Sequence, residues 1–314
     1  MLKRTIPAVD AALSPQHGVS RLGQPLSYNR APAADIAPWI GGLYATIIDA
    51  PDDYVLDCGI VADASVFRFQ LRGNWSATTP DGTHSLGRSA VFFGPQSRLM
   101  PITVRGAFTS IGFSLRPGSG PALIGQPTAV VLDRMFDCGE MGLPGAHALD
   151  QLDRAGSPEQ CLLYLEDLIR RIIGEKGGRL PDPVTARFET AALADPTFAV
   201  ADFAAECGIT TRSLERIIAR DFGMSPKQVL RRARALDMAA HLRGVADEGE
   251  AAELALRYYD QSHLNREFTQ IFGMTPRQFV QRPQPILTLA LESRQARRLE
   301  AIKRLEPGGV RPWE

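Results

Sequence analysis

Cysteine is scarce in this chain and patternless. Four residues in 314, Cys58, Cys138, Cys161 and Cys207, stand without CxxC spacing, which excludes a disulfide framework and a cysteine zinc site. Histidine is nearly as rare, and only His84 falls within the stretch that alternates like β-strands, where it reads as a hairpin residue. A metal-dependent β-barrel needs His and carboxylate ligands clustered on adjacent strands, and a nucleophilic site needs a base beside Ser or Cys. Neither pattern is present, so no catalytic residue, metal or cofactor is expected. Long apolar runs are missing too: Arg, Gln or Gly interrupts each one well short of the roughly 18 residues a membrane span requires. Met1-Leu2-Lys3-Arg4 is not followed by an apolar stretch, so no secretory leader is expected. Nor is there excess charge of either sign, with 35 Lys and Arg against 35 Asp and Glu. That balance confines any polyanion-binding role to a local patch. The expectation is a cytoplasmic chain with enough apolar material, 44% of residues, for two domains.

What is present is an internal repeat. Phe222-Gly223-Met224-Ser225-Pro226-Lys227-Gln228 returns fifty residues later as Phe272-Gly273-Met274-Thr275-Pro276-Arg277-Gln278. Each copy ends one helix on Gly and opens the next with a Ser or Thr cap, Pro in the first helical position, and Gln three residues after the cap. The register extends upstream, pairing Ala205 with Ala255, Leu214 with Leu264 and Arg216 with Arg266. In the first copy Thr210 caps a helix running through Ile218. Leu214, Ile217 and Ile218 face inward there, while Thr211, Arg212, Glu215 and Arg216 share the other face. The second copy turns Leu264 and Phe268 inward and carries Gln261, Ser262, Asn265 and Arg266 outward. These outward residue types suit base edges: Arg for guanine, Asn or Gln for adenine, Ser for either.

On this repeat, and on the run Asp260-Gln261-Ser262-His263-Leu264-Asn265-Arg266-Glu267-Phe268, residues 184–282 resemble the DNA-binding domain of the AraC family of bacterial transcription regulators. The resemblance implies seven helices holding two helix-turn-helix units, joined by a long helix that Leu230 to Leu242 is placed to supply. It implies double-stranded promoter DNA as partner, with RNA polymerase as a further one, and Arg212, Glu215, Arg216, Ser262, His263 and Arg266 as base contacts. The groove repeat of about 34 Å then predicts two short submotifs per protein. Two departures stand out. Tyr258 occupies the turn position that is Gly208 in the first unit and Gly in the family, at a cost of about 1 kcal/mol or more if φ must be positive. Residues 245–251 are more acidic than the family's usual entry to this unit. Basicity is concentrated where DNA would lie: Arg212, Arg216, Arg220, Lys227, Arg231, Arg232 and Arg234 face only Glu215 and Asp221.

Residues from about 36 to 135 alternate with period two. Phe67, Phe69 and Leu71 interleave with Arg68, Gln70 and Arg72, and Ile111, Phe113 and Leu115 with Ser110, Gly112 and Ser114. Pro80-Asp81-Gly82 and Arg105-Gly106 read as hairpins, and Arg116-Pro117-Gly118 as the end of the last clear strand. Fold class is therefore α+β and multidomain: an antiparallel barrel or sandwich, then an all-α domain with two helix-turn-helix units. The resemblance makes the first domain a cupin-like sensor and dimerisation module, hence a homodimer. A small-molecule effector of unknown identity is expected. Trp75, Phe67, Phe69, Phe92, Phe93 and Phe113 are open to two roles, plain core packing, which is the commoner one, or lining of an effector pocket. Arg68, Arg72 and Arg98 are either partners for an anion or ordinary solvated strand residues, so the effector-binding residues are unknown.

Ser157 caps a helix whose Leu162, Leu165, Ile169 and Ile172 form a short seam, either packed on the barrel or offered to a second copy. The expected division is a leader to residue 35, a sensor at 36–173, a flexible linker at 174–183, the DNA-binding domain at 184–282 and a helical tail at 283–314. The tail reads as solvated or partly docked, with Arg294, Arg297, Arg298, Lys303 and Arg304 available to phosphates but diluted by Glu292, Glu300 and Glu306. Two other readings compete with a regulator. One is a ligand-binding or scaffold protein whose DNA-binding domain has degenerated; the other is a cysteine alkyl-acceptor enzyme, which lacks its zinc-type partners here.

Overall fold

The structure is a computed structural model and describes residues 11–15, 27–246 and 261–309. Its N-terminal half is one antiparallel sheet of nine strands: β1 (Ser14–Pro15), β2 (Ser27–Arg30), β3 (Ile40–Asp49), β4 (Val55–Ile60), β5 (Val66–Thr79), β6 (Gly82–Leu86), β7 (Ser89–Phe93), β8 (Met100–Leu115) and β9 (Met135–Asp137). Strands β5 and β8 form the spine. They are long because each bends midway, β5 at Gly73 (φ 102°) and β8 at Gly106 (φ 64°), where a residue with a side chain would be strained. Arg105-Gly106 is therefore a bulge and not the hairpin expected from sequence. Strand β8 passes through it and changes partner, pairing β4 through Met100–Arg105 and β3 through Phe108–Leu115. The hairpin at Pro80-Asp81 is present, closing β5 on β6 with Thr79 opposite Gly82.

Alternation along the spine buries both faces of the sheet. Phe67, Phe69, Phe92 and Phe113 point to one face and pack beneath α3 (Gly145–Arg154) and α4 (Pro158–Glu175). Of the six aromatics open to core packing or pocket lining, these four are helix-covered core. The α4 seam of Leu162, Leu165, Leu168, Ile169, Ile172 and Ile173 is buried against that same face, so it stabilises this domain. Trp75, Val91, Phe93, Val104 and Phe108 form the core of the opposite face. Burial pushes the Cys58 thiol up to about 12, and burial raises Cys138 further still and Cys161 as well. Burial raises Cys207 too, but it alone of the four is not fully buried, so a disulfide reagent should modify only this thiol of the native protein at an appreciable rate. All four should react in urea, which a timed thiol titration would check.

Two short helices, α1 (Ser119–Leu123) and α2 (Thr128–Val131), lead from the spine towards the C-terminal half. That half holds α5 (Pro183–Ala194), α6 (Val200–Glu206), α7 (Thr211–Phe222), α8 (Pro226–Leu242), α9 (Gln261–Phe272), α10 (Pro276–Gln281) and α11 (Pro285–Leu305). The segment expected to be a flexible linker is pinned. Trp39 Nε1 donates to the Arg179 carbonyl at 2.8 Å, and Asp182 caps α5 while accepting from Arg220 at 3.1 Å.

Helix α11 decides between a solvated and a docked tail in favour of docking. Leu287 and Leu291 are 0% and 1% exposed, and burying two leucines contributes about 3–6 kcal/mol. Its arginines meet carboxylates: Arg294 reaches Asp237 at 2.5 Å and Asp63 at 3.3 Å, Arg297 reaches Asp63 and Glu189, and Arg298 reaches Asp237. Sequence alone reads these side chains as phosphate contacts; their partners lie on β4–β5, α5 and α8. Asp63 is the hub. Burial pushes its carboxyl up, but Arg297, Arg294 and Arg232 together outweigh that and hold it far below the usual carboxylate range.

Candidate nucleic-acid interface

The first helix-turn-helix unit is α6 followed by α7. Its turn passes through Gly208 at φ 67°, where glycine alone avoids strain. Thr210 then caps α7 by accepting from the Ser213 N–H at 3.1 Å. Leu214, Ile218 and Phe222 bury one face of α7 among Phe188 and Phe203, whose rings meet edge-on at 5.2 Å. Their burial leaves the other face to solvent, and Thr211, Arg212, Glu215 and Arg216 are all exposed on it. Gly223 ends the helix at φ 72°. The Ser225–Gln228 capping box starts α8: Ser225 Oγ accepts from the Gln228 N–H and Gln228 Oε1 accepts from the Ser225 N–H at 2.9 Å.

The second unit repeats this construction from α9 to α10. Thr275 and Gln278 form the same reciprocal box, with distances of 3.3 Å and 2.9 Å. Phe268 stacks on Phe272 with centroids 4.3 Å apart, and both meet Phe279. Ser262, His263, Asn265 and Arg266 are exposed on the far face of α9. Arg266 Nε donates back to the Ser262 carbonyl, and His263 Nδ1 lies 3.5 Å from Glu267. Gln261 is the first residue of α9; its side chain lies outside the described residues, as do Tyr258 and residues 247–251, the two departures from the family pattern.

Charge is distributed less freely than sequence suggests. Of the seven cations in the basic stretch, Arg232 is buried, donating to the carbonyls of Gln96 and Asp63 at 3.0 Å, and burial pushes it down to about 10. Arg220 is bound to Asp221 and Asp182, and Arg234 is forked onto Glu267, which Arg231 also approaches at 3.4 Å. That leaves Arg212, Arg216 and Lys227 exposed and without such a carboxylate among the described residues.

The sheet domain touches the ends of both exposed helices. Thr128 of α2 donates to the Asp221 carbonyl in the last turn of α7 at 3.0 Å, and the Leu99 N–H donates to the Ile271 carbonyl in the last turn of α9 at 2.6 Å. Arg232 ties α8 between them. These contacts had no sequence signal, since each joins a backbone group to a residue more than ninety positions away.

Residues 203–282 match a family model described as a helix-turn-helix domain. The C-terminal region is an AraC-type helix-turn-helix domain. The match begins at α6, so α5, at the start of the stretch that carries the resemblance, lies outside it. No curated protein matches the chain. Among solved structures the chain is similar to ToxT from Vibrio cholerae strain SCE256 with unsaturated fatty acid bound, at 8% identity and a TM-score of 0.43, over 76% of this chain and 94% of that one. A second ToxT structure, from Vibrio cholerae in a P21 crystal form, gives 7% identity and 0.44 over 76% and 97%. The AraC-like transcriptional activator CuxR gives 11% and 0.28 over 67% and 94%. Among the described residues no helix is long and apolar enough to cross a membrane, and no group of His, Cys, Asp and Glu is placed to hold a metal.

Within the AraC-type domain, α8 is the bridge between the two units, and Leu236, Ala239 and Ala240 join it to the Phe268 cluster. The same cluster takes in Val61 of the sheet domain and Leu287 and Leu291 of α11. The second unit is therefore packed on a core to which three parts of the chain contribute.

Proposed function

We propose that this protein is a cytoplasmic, sequence-specific transcription regulator that reads promoter DNA with α7 and α9. The observation that carries the reading is the pair of helices that each end at a glycine of positive φ and lead into the same capping box, each with one face buried in an aromatic core and a polar face left in solvent. Thr211, Arg212, Glu215 and Arg216 read bases from α7, and Gln261, Ser262, His263, Asn265 and Arg266 from α9. The sensor is residues 36–173, the joint 174–183 and the DNA-binding domain 184–282, with α11 clamping the first to the last. Two copies on paired half-sites, and RNA polymerase beside them, complete the assembly. Because the sheet domain touches the last turns of both reading helices, an effector bound to it can act on their separation, provided it binds two arrangements unequally.

Selection of binding sites from a random duplex library by the full-length protein tests this. Enrichment of two short submotifs about 10 base pairs apart is the expected result; enrichment of none overturns it in favour of a ligand-binding or scaffold protein with a degenerate domain. On a selected site, Arg216→Ala should cost about 1–3 kcal/mol and relax preference at one base position. Equal loss on every sequence would place Arg216 on phosphate. With so few unpaired cations near α7, the slope of affinity against salt should be shallow, worth only a few phosphates.

A further inference from the structure

A cavity of about 150 Å³ lies between the second face of the sheet and α11. Tyr44, Arg68, Trp75 and Phe108 line it from the sheet, Ile286 and Leu289 from the helix. Arg68 is its unusual member. Alternation along β5 turns it away from the helix-covered core, and its Cζ sits 4.8 Å from the Trp75 ring and 5.1 Å from the Phe93 ring. Its Nε and Nη1 are buried with no hydrogen-bond partner among the described residues, as is the indole Nε1 of Trp75. The one carboxylate among the described lining residues, Asp63, is already taken by Arg294 and Arg297. The pocket therefore offers a cation and a neutral donor among aromatic faces, with hydroxyls and an amide nearby but no uncommitted carboxylate to match the charge among the described lining residues. Burying a charge in this way is costly unless something pairs with it. A guanidinium selects a planar carboxylate, and a mostly apolar cavity of this volume accepts a body the size of a benzene ring.

We infer that this cavity binds a small organic carboxylate of single-ring size, with Arg68 holding the anion and α11 forming the roof. The inference rests on the regulator reading and gives it a ligand class. The occupant touches Leu289 on the helix that also carries Arg294 and Arg297, so binding loads the clamp between sheet and DNA-binding domain directly. A long acyl chain does not fit this volume, and inorganic phosphate would leave the aromatic walls without a partner.

Calorimetry and thermal unfolding of the full-length protein, without DNA, test it using benzoate, with benzamide as the neutral isostere and inorganic phosphate as the small anion. Benzoate should bind saturably and raise Tm, while benzamide and phosphate should not. Arg68→Met should weaken benzoate on the order of ten- to a hundredfold, and Arg68→Lys should weaken it less. Leu289→Trp, which fills the cavity from α11 and leaves Arg68 intact, should abolish binding. Where a variant fails to fold by circular dichroism, the contrast of benzoate with benzamide on the native protein decides alone. Equal binding of benzoate and benzamide, unchanged binding to folded Arg68→Met, or no binding of benzoate, salicylate or cyclohexanecarboxylate overturns the inference. Since DNA is absent, failure here leaves the site-selection result standing, and failure there leaves this one standing.

Discussion

Replacing Asp63 by Asn should lower stability by about 3–5 kcal/mol, read as a fall in the urea midpoint, because it strips the shared counter-charge from buried arginines. Asp63 has a side chain only 19% exposed and accepts from Arg294 at 3.3 Å and from Arg297, while its carbonyl receives Arg232. Asn is nearly isosteric but neutral, so packing is kept and the electrostatic loss is isolated. The pH dependence gives a second check. The folded carboxyl lies below its unfolded value of about 4, so its stabilisation is complete above that pH and fades as pH falls further towards the folded value. The native protein should therefore lose stability more steeply than Asp63→Asn below pH 4, and the two should run parallel between pH 5 and 8. A variant as stable as the native protein would show that the arginines find other partners, and that the clamp is not electrostatic.

Phe268→Ala should cost a similar amount, about 3–5 kcal/mol, through a cavity the surrounding cluster is poorly able to fill. Phe268 is fully buried, stacked on Phe272 and edge-on to Phe279, and the cluster continues into α8, α11 and Val61. Aromatic pairing adds about 0.5–1.5 kcal/mol beyond area. Because Phe268 lies on the inner face of α9, its loss also frees the helix that presents Ser262, His263 and Arg266. On a selected duplex the variant should keep contact at the α7 submotif and lose preference at the α9 submotif, measured by competition between sites altered in one half. Loss of preference at both halves would mean that the two units are held as one body by α8.

Much of the DNA-reading unit was legible because its signals are local. A Ser or Thr cap, a Gln three residues later and a Gly at positive φ act within one turn of helix, so Thr210, Gly223, the Ser225–Gln228 box and the Thr275–Gln278 box could be placed from order alone. Period-two alternation likewise found the spine strands. It could not say which buried face was roofed by helices, so Phe67 and Trp75 looked alike, although one is packed core and the other lines a cavity. Arg105-Gly106 misled for a related reason: a positive-φ glycine serves a bulge as well as a hairpin, and only the partners of β8 decide between them.

The amino-acid order determined where helices begin and end, which faces are apolar and that one unit occurs twice, since each depends on residues a few positions apart. Tertiary structure decided which charges are free. Arg216 and Arg294 are the same side chain on helices with one apolar face, and nothing near either in sequence tells them apart. Arg294 is neutralised by Asp63 and Asp237, 231 and 57 residues away, whereas Arg216 stands in solvent. An ion pair needs proximity in space alone, and a long flexible side chain finds it wherever the fold brings a carboxylate within about 4 Å.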